Sequence, residues 1–146
     1  MNQPPSEAFL RFVLRVVGTA SLFALIAVVM PYTCMDAIHR WLGLGALPDE
    51  PIVGYLARSL SAFYALMGGL LWSLSRDLRR HRPTLCFLGV AFMISGAALI
   101  GIDYFVGLPR WWWAGEGSFT MLIGAAIAWP AFRMEPSPPN GSRATG

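Results

Sequence analysis

Lysine is absent from this 146-residue chain, and charge of either sign is scarce. Only 13% of the residues are charged, against about 25% in a typical soluble domain. The charges gather in a few short segments and leave long stretches with none. This speaks against an ordinary soluble domain with an apolar core. It also speaks against a nucleic-acid partner: Arg76, Arg79, Arg80 and Arg82 join two apolar runs, where a cytoplasmic loop explains them. Cysteine and histidine are equally sparse, two of each. There is no CxxC, no metal-ligand spacing and no pair of histidines on one helical face. No nucleophile and base stand in a recognisable pattern. No catalytic residue, metal site or cofactor is therefore read from the chain.

What is abundant is apolar sequence, 55% of the residues. A helix needs about 20 apolar residues to cross a hydrocarbon core of roughly 30 Å. Four segments qualify, at about 9–30, 52–75, 84–106 and 109–129. Pro31 and Pro130 mark the expected ends of the first and fourth, because proline lacks an N–H and clashes with the preceding turn. Pro83 suits the first turn of the third. The runs are too long for barrel strands and show no alternation. The first has no A-x-A-like site at its end and reads as a retained helix, not a cleaved signal. The expectation is an all-α, integral membrane four-helix bundle over residues 9–132. Residues 1–8 and 133–146, the latter ending EPSPPNGSRATG, read as disordered ends.

Arginine placement predicts the orientation. Arg11, Arg15, Arg76, Arg79, Arg80, Arg82, Arg133 and Arg143 fall on one side of such a bundle; Arg40, Arg58 and Arg110 fall on the other. Positively charged loops stay in the cytoplasm. Both termini and the second loop are therefore expected inside, in a cell (inner) membrane. Tyr32, Trp41, Tyr55, Tyr104 and Trp111-Trp112-Trp113 would form an outer aromatic belt, and Trp72 and Trp129 an inner one. In the first outer loop, apolar residues recur at Met35, Ile38, Trp41 and Leu42, opposite Asp36, His39 and Arg40. That predicts a short interfacial helix, ended by Gly43 and Gly45. Cys34 and Cys86 would lie at opposite membrane faces, about 30 Å apart. A disulfide needs Cα atoms within about 7 Å, so none is expected.

Helices in lipid associate through close packing of small residues. The second segment carries them at four-residue spacing: Ala57, Ser61, Ala65, Gly69 and Ser73. That face is expected to be a helix–helix interface. Ala97 and Gly101, and Gly124 and Ala128, form shorter versions in later segments.

Three ionisable residues fall inside the apolar segments near the outer face: Arg58, Asp103 and Glu116. Charges in membrane helices are costly and usually turn inward and pair. Arg58 can pair with one carboxylate or bridge both. If it pairs with one, the other is left uncompensated, the arrangement a proton-coupled site uses. His39, Arg40 and Arg110 can reach the same layer from the outer loops. The simpler and favoured reading is an ion pair that fixes helix packing. The glycines beside Glu116 leave open a fourth helix that starts only at Ser118.

The layout resembles the DoxX-like and related small four-helix bacterial membrane proteins. The resemblance covers about residues 9–132 and includes Tyr55-Leu56-Ala57-Arg58-Ser59-Leu60-Ser61-Ala62-Phe63-Tyr64, an arginine entering a small-residue helix. It implies a four-helix membrane fold and, for some relatives, a place in quinone-dependent redox complexes. No residue here is transferred to that role. The expected function is a non-catalytic subunit or partner-binding bundle. Its partners would be the lipid bilayer and a membrane protein or further copies of itself. The alternatives are a small oligomeric proton-coupled transporter using an outer-leaflet carboxylate, and a DoxX-like redox subunit.

Overall fold

A computed structural model describes residues 4–135. The outermost parts of the expected disordered ends, 1–3 and 136–146, lie outside the described residues. Every regular element among the described residues is helical. The order is α1 (Pro5–Leu22), α2 (Leu25–Val29), α3 (Tyr32–Trp41), α4 (Pro51–Leu74), α5 (Arg82–Val106) and α6 (Arg110–Arg133).

The first apolar segment begins earlier than expected. Pro5 opens α1, where its missing N–H costs nothing, and Glu7 in the first turn is buried. The expected disordered stretch 1–8 is thus helical from Pro5. The helix hitches at Phe23 and Ala24. There the backbone bonds tighten to the i−3 carbonyl, as in Ala24 N–H to Ser21 O at 3.1 Å. Pro31 separates α2 from α3, as the sequence predicts.

Pro130 does not end α6. It lies inside the last turn, and the helix continues to Arg133. In a last turn proline forfeits one hydrogen bond, and the free carbonyls find other donors. Arg82 supplies two, Nε to Ala131 O at 3.1 Å and Nη2 to Phe132 O at 3.2 Å.

Two helices are long and apolar enough to cross a membrane. They are Pro5–Val29, which joins α1 and α2, and Arg82–Val106, which is α5; the most apolar 18-residue windows within them have mean hydropathies of 2.3 and 2.4. At about 1.5 Å per residue each exceeds a roughly 30 Å hydrocarbon core. α4 and α6 have 24 residues each, but their polar groups leave them less apolar, with Arg58, Ser59 and Ser61 in one and Glu116, Ser118 and Thr120 in the other.

The chain divides into two compact units. One comprises Met1–Leu14 and Leu74–Gly146, the other Arg15–Ser73. In the first, α5 packs antiparallel on α6. A methyl group added to Gly96 would lie 2.5 Å from the Gly117 carbonyl oxygen, and one on Gly89 2.6 Å from the Ala128 nitrogen. One on Gly124 would meet Gly89 O at 2.6 Å. Only hydrogen fits at these positions, so the two backbones touch. In the second unit the close approach is between α1 and α4, where a methyl on Gly68 would lie 2.6 Å from Gly18 O.

The expected small-residue stripe on α4 is placed differently. Ala65 is buried, but Gly69 is exposed with nothing within 4 Å of an added methyl group. The contact residue is its neighbour Gly68. One residue along a helix is about 100° around its axis, so the contact face shares Ala65 with the four-residue repeat but leaves it at Gly69.

Candidate functional site

The α5–α6 contact has a seven-residue register. Gly89 faces Gly124 and Ala128, and Gly96 faces Gly117 and Met121. Seven residues are close to two helical turns, so the same face recurs. One step further along α5 is Asp103, and one step back along α6 are Arg110 and Ala114. Asp103 is 6% exposed, as its place on the contact face requires. Beside it the rings of Tyr104 and Trp113 meet edge-on across the two helices, 6.2 Å between centroids.

Asp103 also occupies the end of its helix. Gly107, at φ 81°, lets the chain turn back. Leu108 N–H then donates to Asp103 O at 3.0 Å and Gly107 N–H to Tyr104 O at 3.2 Å, which is the Schellman closure. The backbone carbonyl of Asp103 is thus satisfied. Its side-chain Oδ2 is not: it is buried and has no hydrogen-bond partner among the described residues. Arg110, across the register, is exposed and makes no ion pair among the described residues.

Glu116 lies within α6, which starts at Arg110 despite the glycines at 115 and 117. The later start at Ser118 does not occur. Gly117 is buried against Gly96, and that backbone contact holds the helix where intrinsic propensity is weak. Glu116 is half-buried, and its backbone carbonyl accepts a hydrogen bond from Thr120 Oγ1 at 2.9 Å.

Arg58 belongs to the other unit. Its Nη2 donates to Met30 O at 3.1 Å and its Nη1 to Gly54 O at 3.5 Å. Met30 O lies at the proline break after α2, where the helix leaves carbonyls without partners. A guanidinium there also meets the negative end of the helix dipole. Arg58 therefore has a backbone role that its spacing in the sequence did not suggest.

His39 and Arg40 hold the first loop onto α3. Gly43 and Gly45, at φ 75° and 86°, turn the chain back. Asp36 Oδ1 then accepts from Leu47 N–H at 2.8 Å and Oδ2 from Arg40 Nε at 2.9 Å. Tyr32 Oη donates to Leu47 O at 2.6 Å. His39 Nδ1 lies 3.0 Å from Gly45 O; a carbonyl only accepts, so that nitrogen carries the proton. The Leu47 N–H and then Arg40 hold the Asp36 carboxyl below its ordinary range. Desolvation, then Asp49 and Asp36, push the Tyr32 hydroxyl up, with Arg40 opposing.

Sequence reasoning passed over Glu7. Its carboxylate is 8% exposed and pairs with Arg79, Nη2 to Oε1 at 2.9 Å. One turn along α1, Arg11 Nε is buried without a partner among the described residues. The available signal was that Glu7 is the only acidic residue before Asp36. Two tryptophans carry stacked guanidiniums. Arg15 lies 5.2 Å from the Trp72 ring centroid and Arg133 4.0 Å from that of Trp129. Trp72 Nε1 also donates to Thr19 Oγ1 at 3.0 Å.

Among the described residues, no group of three His, Cys, Asp or Glu is placed to hold a metal ion. These features define a helical protein with two helices able to cross a membrane and a buried, unpaired carboxylate at one end of a glycine-laddered helix pair. No family model, curated protein or solved structure matches the chain.

Proposed function

We propose that this chain is a small multi-pass integral membrane protein, a four-helix bundle with both termini cytoplasmic, working as a non-catalytic subunit or partner-binding bundle. One observation carries the reading. The most apolar windows of Pro5–Val29 and Arg82–Val106 are only 11% and 17% buried within the chain. A core helix of a soluble protein would be mostly buried. Here Phe105, Val29 and Phe87 are 87%, 81% and 73% exposed. In water such surface would drive association; in lipid it is the ordinary face of a spanning helix. The lone cysteines test the arrangement. The protein is expected to stay in the pellet after alkaline carbonate extraction. An impermeant maleimide on spheroplasts is expected to label Cys34, and Cys86 only after the membrane is opened. Release of the protein by carbonate, or labelling of Cys86 alone, rejects the span or its orientation.

Asp103 favours a second reading, a small oligomeric transporter with an outer-leaflet carboxylate. A buried acidic oxygen without a donor is costly in a structural role and useful in a binding one. Proton-driven uptake into vesicles that disappears in Asp103→Asn supports this reading.

A further inference from the structure

The Asp103 carboxyl sits in an unfavourable place for negative charge. One carboxylate oxygen is buried without a donor, and the residue lies in the last turn of α5, where the helix dipole disfavours negative charge. The facing start of α6 offsets part of this, yet among the described residues none of its N–H groups bonds Oδ2. The residue in register across the contact, Arg110, opens α6, the end at which a helix disfavours a cation. The two charges would compensate each other as an ion pair, but the pair is open.

A bound cation would compensate a negative charge on this carboxyl. A hard metal ion takes six or more oxygen ligands, and no metal-holding group exists among the described residues. An organic cation needs less: one carboxylate and aromatic faces. Tyr104 and Trp113 supply aromatic rings next to Asp103 on the same two helices. Tyr104 is 64% exposed, so the aromatic edge beside the buried carboxyl can be reached from outside the pair.

We infer that the Asp103 end of the α5–α6 pair binds a lipophilic organic cation of the quaternary ammonium or phosphonium class. Asp103 is the counter-charge, Tyr104 and Trp113 are the aromatic contacts, and Arg110 is the cation in register that would compete for Asp103. Such a ligand has no proton to donate and is held by charge and ring faces alone. This goes beyond the transporter reading, because equilibrium binding requires no uptake; a protein that binds without transporting would reject that reading and leave this one standing.

The test is equilibrium binding of radiolabelled tetraphenylphosphonium to the full chain in lipid nanodiscs, with empty discs as background. Asp103→Asn is expected to weaken binding by at least about tenfold, the equivalent of one charge-assisted contact. Arg110→Gln removes the competitor and is expected to tighten binding several-fold. Glu116→Gln, off the contact register, leaves it unchanged. Saturable binding that is equal in wild type and Asp103→Asn, or no binding above empty discs, overturns the assignment. If Asp103→Asn does not fold, Arg110→Gln decides alone: tighter binding supports the site, and unchanged or weaker binding rejects it.

Discussion

The two compact units use glycine in different ways. In one, α5 and α6 touch at Gly89 with Gly124 and again at Gly96 with Gly117, two rungs seven residues apart with backbone on both sides. In the other, α1 and α4 meet at a single crossing, Gly18 with Gly68, and Trp72 and Leu22 side chains share the contact. The polar contacts differ too. The first unit buries a carboxylate against a partly exposed arginine, Glu7 with Arg79, at side-chain exposures of 10% and 56%. The second places its acid–arginine pair, Asp36 with Arg40, in a folded loop where the arginine is 61% exposed. Side chains of Met93, Ile100 and Met121 also line the first contact, but there backbone meets backbone at two places instead of one. A single crossing lined by side chains can adjust.

The largest effect expected is therefore in the first unit. Gly96→Leu drives a side chain into the Gly117 carbonyl and should cost about 3 kcal/mol or more, read as loss of the folded form in detergent unfolding curves. An unchanged midpoint would mean that α5 and α6 do not meet at these rungs. Next comes the single crossing. Gly68→Ala should cost about 1–3 kcal/mol, because its methyl meets Gly18 O. Gly69→Ala, with open space around it, should be neutral or stabilise by up to about 1 kcal/mol through helix propensity. Equal effects at the two positions would erase the distinction between the observed contact face and the four-residue stripe.

The buried acid gives a smaller difference. Arg79→Ala leaves Glu7 without its partner and should cost about 1–2 kcal/mol, given the exposure of the arginine. Glu7→Gln in the same chain should recover part of this, measured by a double-mutant cycle. Full additivity of the two changes would show that the pair is not coupled.

Smallest is the effect of acid on the first loop. The Asp36 carboxyl is held below its ordinary range in the folded loop. Its contribution is therefore present above the unfolded-state value and is lost as pH falls through the folded one. The protection factor of the Leu47 amide should fall once pH drops below the usual carboxylate range, while those of the α5–α6 contact amides should show no matching step. Asp36→Ala should give fast exchange at every pH. Protection of Leu47 that survives acid would detach the loop from Asp36.

The helices themselves were legible from the amino acids. Long uncharged runs bounded by prolines predicted four main helices close to those observed, because apolar length and missing N–H groups act locally. The short helix after Pro31 and its glycine stops were legible for the same reason, since Gly43 and Gly45 answer a local need for positive φ. Pro130 was misjudged, and the start of α6 around Glu116 was left open, where a distant group intervened, Arg82 capping the carbonyls of α6 and Gly96 receiving Gly117. What only the tertiary structure decided is which face of each helix meets another. Four-residue spacing marked Gly69, but the neighbouring backbone arrives at Gly68. Burial of Asp103 and its unpaired oxygen, and the hold of Arg58 on Met30 O, follow from that same choice of face. A residue's spacing places it along and around its own helix. Only the position of the partner backbone determines which of those angles is buried and which charge is left without a counter-ion.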